Sequence, residues 1–190
     1  VQKVFDHDWE AADNRVYERG LDPAVTAKKD AALEEATSPD ADRTGRAYLV
    51  ASPWRRNPNG IGDSESELPK LIGEAKTELA IQLLDYNPTT YSRPKRFYPA
   101  IDNALRDAAV RGVKIKLLVS HWNTDEHSVV HLKSLSLIPG VEIKVATIPA
   151  AKQGYIPFAR VIHSKYMVAN GKVAWIGTSN WAGGYLDTSR

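Results

Sequence analysis

The chain has 190 residues, 43% hydrophobic and 25% charged, with a formal net charge of +2. That is long enough for a domain with a sizeable core. The near-neutral balance supplies no global basic field to draw in nucleic acid, so any such surface must be local. Cysteine is absent, which excludes thiol nucleophiles, thiolate metal sites and disulfides and leaves the redox compartment open.

No apolar run approaches the roughly 18 residues of a membrane span. The first residues lack the layout of a signal peptide and read as starting inside a helix. Over residues 1–19, Val4, Phe5, Trp9 and Ala12 share one helical face. Residues 21–46 are polar, with no large apolar side chain between Leu33 and Tyr48, and suit a surface helix plus a connection, or an inserted linker.

From residue 47 strands and helices alternate. A short strand is expected over 47–52. A helix capped by Ser64 or Ser66 should run to about residue 77, with Pro69 tolerated in its first turn. Residues 78–85 form a buried strand, 96–111 an amphipathic helix stopped by Gly112, 113–120 a strand, 126–137 a helix and 141–147 a strand. Residues 161–169 and 173–176 pair as a hairpin across Asn170-Gly171, a dipeptide suited to a type I′ turn. The expected class is α/β, a mixed sheet flanked by helices, with no internal repeat.

The chemistry concentrates in this hairpin. His163 and Lys165, two apart on a strand, emerge on one face. The returning strand ends in Gly177-Thr178-Ser179-Asn180, which brings a small-residue loop and a carboxamide to the same end of the sheet. Imidazole, ammonium and carboxamide converging on one anion suit a phosphoryl group, and the grouping requires no metal and no cofactor.

With gaps His-x-Lys-x4-Asp-x6-Gly-Ser/Thr-x-Asn, this segment resembles the HKD motif of the phospholipase D superfamily: His163, Lys165, Gly177, Thr178 and Asn180 match, and Asn170 stands where the family has Asp. Leu84-Asp85-Tyr86-Asn87-Pro88, the stretch from Arg96 to Asp102 and the one from Arg111 to Trp122 resemble the branch of lysosomal phospholipase-D-like 5′ exonucleases and poxvirus envelope relatives. The resemblance covers roughly residues 47–188, as the second half of such a protein. It implies a phospholipase D-like half-domain over 47–190, with 1–46 as the helix closing a preceding half plus a linker.

It also implies a phosphodiesterase in which two histidines work across a pseudo-twofold interface. One attacks phosphorus to form a phosphohistidine and the other protonates the leaving oxygen. The chain carries one such motif, with Asn170 in place of its Asp, so the second half is expected from an upstream segment or from a homodimer. His163 is nucleophile or general acid/base; Lys165 and Asn180 bind or orient the phosphoryl group. The branch tilts the substrate toward single-stranded nucleic acid and the location toward a secreted or lumenal one. Phospholipid is the alternative substrate, and a non-catalytic scaffold retaining the fold is the alternative class.

Further substrate contacts are expected from Gly177, Thr178, Ser179, Tyr86, His121 and Trp122, and support of the site from behind by Asn170 and Asp187. His127 and His131, four apart on a helix, could offer two metal ligands without an evident third. Arg93, Lys95 and Arg96 interleave with Tyr91, Phe97 and Tyr98 in a pattern that could hold phosphates and stack bases.

Overall fold

The computed structural model describes residues 47–187. The helix expected over 1–19 and the polar segment up to residue 46 lie outside the described residues. The chain divides into two units, Val1–Glu67 and Leu68–Arg190.

In the first unit β1 (Val50–Ala51) pairs in parallel with β2 (Gly62–Asp63). The loop between them is tied by Asn57, whose Nδ2 donates to the carbonyls of Ala51 at 2.9 Å and Gly62 at 2.8 Å. Helix α1 (Ser64–Glu74) starts here and crosses into the second unit. Its cap is Asp63, not Ser64 or Ser66. The two carboxylate oxygens accept from the amides of Glu65 at 3.1 Å and Ser66 at 3.2 Å, serving two orphan donors at once. Pro69 consequently falls in the second turn, inside the helix.

The second unit is built on a mixed five-stranded sheet. In chain order come β3 (Glu78–Leu83), the two-residue β4 (Tyr86–Asn87), α2 (Pro99–Val110), β5 (Lys114–Ser120), α3 (Val129–Ser136), β6 (Val141–Ala146), β7 (Tyr166–Ala169), β8 (Val173–Ile176) and the two-residue β9 (Trp181–Ala182). The sheet order is β6-β5-β3-β7-β8, with β3, β5 and β6 parallel and β7 and β8 antiparallel. The short strands β4 and β9 pair with each other in parallel.

Alternation sorts the two faces. Leu79, Ile81 and Leu83 of β3 and Ile115, Leu117 and Val119 of β5 join Leu68, Leu71 and Ile72 of α1, Ile101 and Leu105 of α2, and Leu132 and Leu135 of α3 in one buried cluster. The opposite face carries Ala80, Gln82, Lys116, Glu142, Lys144 and Tyr166 and is more open. Among the described residues no helix is long and apolar enough to cross a membrane.

The helices are shorter than the sequence pattern suggests, for local reasons. Residues 88–98 close on themselves, with Thr90 N–H donating to Arg96 O at 2.8 Å and Tyr98 N–H to Pro88 O at 2.8 Å, so α2 begins only at Pro99. Asp125 Oδ1 accepts from the amides of His127 at 2.9 Å and Ser128 at 3.1 Å, winding residues 125–128 into a turn that delays α3. At the hairpin, Asn170 (φ 53°) and Gly171 (φ 64°) both adopt the left-handed conformation a type I′ turn requires. Lys172 N–H closes the turn on Ala169 O at 3.0 Å.

Candidate active site

Register decides which loops meet. Gln82 pairs with Tyr166 and Tyr166 with Ile176, so the start of β7 and the end of β8 lie beside the end of β3. Val119 pairs with Val145, which brings the ends of β5 and β6 to the same edge. His163, Lys165, Gly177 to Asn180, Asp85, His121, Trp122 and residues 147–160 therefore share one end of the sheet. The carboxyl ends of parallel strands are the usual place for an α/β site.

His163 and Lys165 lie just before β7, not on it as expected. The alternation nevertheless persists. The ladder runs one step beyond the strand, with Gly177 N–H donating to Lys165 O at 3.0 Å. Ser164 and Tyr166 turn to Gln82 on the open face: Gln82 Nε2 donates to Ser164 Oγ, and Tyr166 O–H donates to Gln82 Oε1 at 3.0 Å. Lys165 turns the other way and is 5% exposed, while His163 is exposed. Lys165 Nζ donates to His163 O at 2.8 Å, so the ammonium braces the backbone that carries the imidazole. Burial pushes the Lys165 pKa down from its ordinary value, and the negative charge of Asp85 opposes that shift.

The Gly-Thr-Ser-Asn loop has a steric reason for its glycine. A Cβ at Gly177 would come within 2.4 Å of Cζ2 of the Trp175 ring, which packs edge to face with Trp181 at 5.8 Å. The loop turns over this pair, leaving Thr178 exposed, Gly177 and Ser179 half-buried and Asn180 buried. Asn180 Oδ1 is buried and accepts no hydrogen bond in the structure.

Asp85 joins the site although nothing in the sequence assigns it a role beyond a place in the Leu84–Pro88 stretch that carries the resemblance. Its main-chain oxygen accepts from Trp181 N–H at 3.1 Å, which ties it to the Asn180 loop. Burial first, then repulsion from Asp125, raises its pKa, while Lys95 and Lys165 pull the other way. The available signal is an acid placed directly after an apolar strand, at the edge where α/β sites gather.

Other expected residues fall elsewhere. Tyr86 does not line a cleft: it is fully buried, its hydroxyl donates to Asp102, and Asp102 also takes Arg106 Nε at 2.6 Å. Asn170 sits at the hairpin tip, at the far end of the sheet from Lys165. Five residue steps separate them, roughly 17 Å along an extended strand. There its Oδ1 accepts from Lys76 N–H at 2.9 Å, Thr77 N–H at 3.0 Å and Thr77 Oγ1 at 3.2 Å. The Asp187 carboxylate accepts from the Gly184 amide and closes a local turn.

His121 and Trp122 do adjoin the site, in the 3-10 turn His121–Thr124 that follows β5. His127 and His131 line a cavity of about 280 Å³ with Lys95, Asn87 and Thr89. Among the described residues no three His, Cys, Asp or Glu side chains are grouped to hold a metal ion. His131 and Lys133 also have His-x-Lys spacing, so the bare spacing occurs a second time in the chain. They lie on α3, where residues two apart diverge around the helix, so they form no second unit. Phe97 stacks on His131 at 6.4 Å, and Tyr98, expected beside it as a stacking ring, is buried ahead of α2.

This imidazole and ammonium ahead of β7, on a mixed sheet with a Gly-Thr-Ser-Asn loop beside them, mark a phospholipase D-like domain. Residues 68–190 match the family model described as "Cardiolipin synthase, PLD-like domain", and the chain belongs to that phospholipase D-like family. It is 37% identical over 154 residues to a probable phospholipase D of Caenorhabditis elegans, covering 73% of this chain and 28% of that protein. It is 39% identical over 151 residues to the 5′-3′ exonuclease PLD3 of Xenopus laevis, covering 74% of this chain and 30% of that protein. The chain thus spans less than a third of the length of these relatives. Among solved structures, NucT from Helicobacter pylori shares the fold, with a TM-score of 0.52 at 18% identity over 65% of this chain and 70% of that one.

Proposed function

We propose that this chain supplies one catalytic half of a phosphodiesterase that cleaves single-stranded nucleic acid through a phosphohistidine. The observation that supports it is the pairing of an exposed imidazole, His163, with a buried ammonium, Lys165, that braces its backbone at 2.8 Å. Lys165 and the carboxamide of Asn180 would hold the non-bridging phosphoryl oxygens as charge builds on them. One histidine attacks phosphorus, forming an N–P bond, while a second gives its proton to the leaving oxygen as the P–O bond breaks. Water then attacks, the second histidine takes its proton, and the N–P bond breaks to free the first imidazole. His163 is one of these two. The other comes from a second His-x-Lys unit, in a longer chain or in a second copy.

Nucleic acid is favoured because the segment 147–165, which leads from the end of β6 into the site, carries Lys152, Arg160 and Lys165 and no Asp or Glu, a basic stretch that the overall charge hides. The relative named as a 5′-3′ exonuclease agrees with it. The relative named as a probable phospholipase D keeps phospholipid as the second reading. The full-length protein, incubated with a labelled single-stranded oligonucleotide and with phosphatidylcholine, should cleave the oligonucleotide. Turnover of lipid alone would overturn the nucleic-acid reading. His163→Ala should abolish turnover without lowering the melting temperature, and survival of activity in that variant would sink the catalytic assignment.

A further inference from the structure

We propose that the groove between the turn after β5 and the loop 148–160 is a base-stacking subsite, which holds the nucleobase next to the scissile phosphodiester against the exposed ring surface of Phe158 and Trp122. This rests on the nucleic-acid reading above and adds what the hairpin alone cannot supply, a site for the base.

The groove has a volume of about 240 Å³ and is lined by His121, Trp122, Tyr155, Phe158 and Arg160 among others. That is room for one heterocycle and too little for a folded partner. Its apolar walls face solvent: Tyr155 is 87% exposed, Phe158 83% and Trp122 39%. Three aromatic rings held in water around one groove run against the hydrophobic effect unless something flat and apolar covers them. Trp122 and Phe158 meet edge to face, with centroids 6.1 Å apart and planes at 75°, so a ring face stays free to stack.

The loop is held in shape. Arg160 Nε donates to Pro149 O across the loop's neck, and Gly154 N–H donates to Ala151 O at 2.9 Å. Phe158 and Arg160 both take left-handed conformations, φ 59° and 55°, which cost free energy in residues with a Cβ. Such strain collects where a binding geometry is built in advance. Arg160 stands three residues before His163, so the groove and the reacting imidazole belong to one continuous segment. That segment, 147–163, has Lys152, Arg160 and His163 and no acid. A polyanionic strand suits this pattern of rings and cations better than an acidic or zwitterionic surface would.

The test is a cycle on the full-length protein, with wild type and Phe158→Leu each assayed on an oligonucleotide and on the same oligonucleotide with an abasic nucleotide beside the cleaved bond. Removing the base should raise KM by roughly tenfold in wild type, the scale of one lost stack. In Phe158→Leu the intact oligonucleotide should already show that rise, and the abasic penalty should vanish. Phe158→Tyr should restore it. Circular dichroism melts identify a variant that has lost its fold, and Trp122→Leu provides the second, independent wall.

If the two changes simply multiply, the ring and the base do not touch and the subsite is refuted, while cleavage itself leaves the nuclease reading standing. If Phe158→Leu instead weakens binding to phosphatidylglycerol vesicles with no change in the cycle, the rings face lipid and the proposal is overturned. It is overturned equally if the variant breaks up the assembly, because then a protein half covers the groove. A wild type that cleaves no oligonucleotide fails at the earlier step and removes both readings together.

Discussion

Replacing Asn170 tests whether the departure from the family's Asp touches the chemistry or only the scaffold. Its Oδ1 serves three donors, the amides of Lys76 and Thr77 and the Thr77 hydroxyl, at 2.9, 3.0 and 3.2 Å, and its backbone is left-handed at φ 53°. Asn170→Ala removes all three bonds at a site water reaches, so their loss costs about 1–2 kcal/mol in total. Alanine adds about 1 kcal/mol for a left-handed residue without asparagine's local hydrogen bonding. The sum, about 2–3 kcal/mol, corresponds to a melting temperature lower by roughly 4–12 °C in a domain of this size. Asn170→Asp keeps an acceptor and tolerates the same φ, so it should melt within about 2 °C of wild type, a small surface change by the usual standard. Both variants should retain wild-type kcat per folded molecule, because the position lies at the opposite end of the sheet from His163. Thermal melts paired with active-site-normalised kcat on an oligonucleotide decide the matter. A tenfold or larger gain in kcat for Asn170→Asp with an unmoved melting temperature would refute the scaffold role.

Three further perturbations follow from the same geometry. Tyr86→Phe strips a hydroxyl donor from the buried Asp102 and should cost about 1–3 kcal/mol in urea unfolding; a fall in kcat with stability intact would return Tyr86 to the cleft. Gly177→Ala drives a Cβ into Trp175 and should cost about 1–3 kcal/mol by overpacking, read in the same melts, with loss of turnover as the Asn180 loop shifts. For Asp85, a raised folded-state pKa means that the fold keeps a proton the unfolded chain has released. Its contribution is therefore full below the ordinary value of 3.8 and is lost as pH rises through the folded value. Asp85→Asn should flatten that stretch of the stability–pH curve. It should also let the Lys165 pKa fall further below 10.5, moving the alkaline limb of the pH–rate profile to lower pH.

Strands β3 and β5 are legible in the sequence because burial alternates along them, and the hairpin because Asn170-Gly171 admits few other turns, whereas the two-residue β2, β4 and β9 are too short to show a pattern. The main constellation is legible for the same reason, since a hairpin returns its chain to the end it left. The same geometry puts the hairpin tip at the other end of the sheet, where Asn170 holds the Lys76 and Thr77 amides rather than standing beside Lys165. What the pattern hides depends on three-dimensional contact. Asp63 outcompetes two serines as a cap because one carboxylate reaches two amides. Tyr86 looks like a cleft residue until Asp102 of α2, itself paired with Arg106, accepts from its hydroxyl inside the core. Phe158 and Tyr155 resemble ordinary core residues in a string of letters, and only the fold leaves them in water.

The burial of Lys165 bears directly on the reaction. An ammonium taken out of water is costly unless charge answers it, and here the answering carboxylate, Asp85, is itself held back by burial and by Asp125. Lys165 is thus a buried cation whose pKa burial lowers and the charge of Asp85 raises. In the proposed reaction a phosphoryl group would answer that cation, most fully when negative charge accumulates on its oxygens during transfer. The same burial that depresses the lysine's pKa would then favour the proposed transition state over the ground state. One imidazole cannot stand on both sides of the phosphorus, so in the proposed reaction this polarised edge must be closed by a second histidine facing His163. The exposure of His163 beside a buried Lys165 is what such a closing surface would meet.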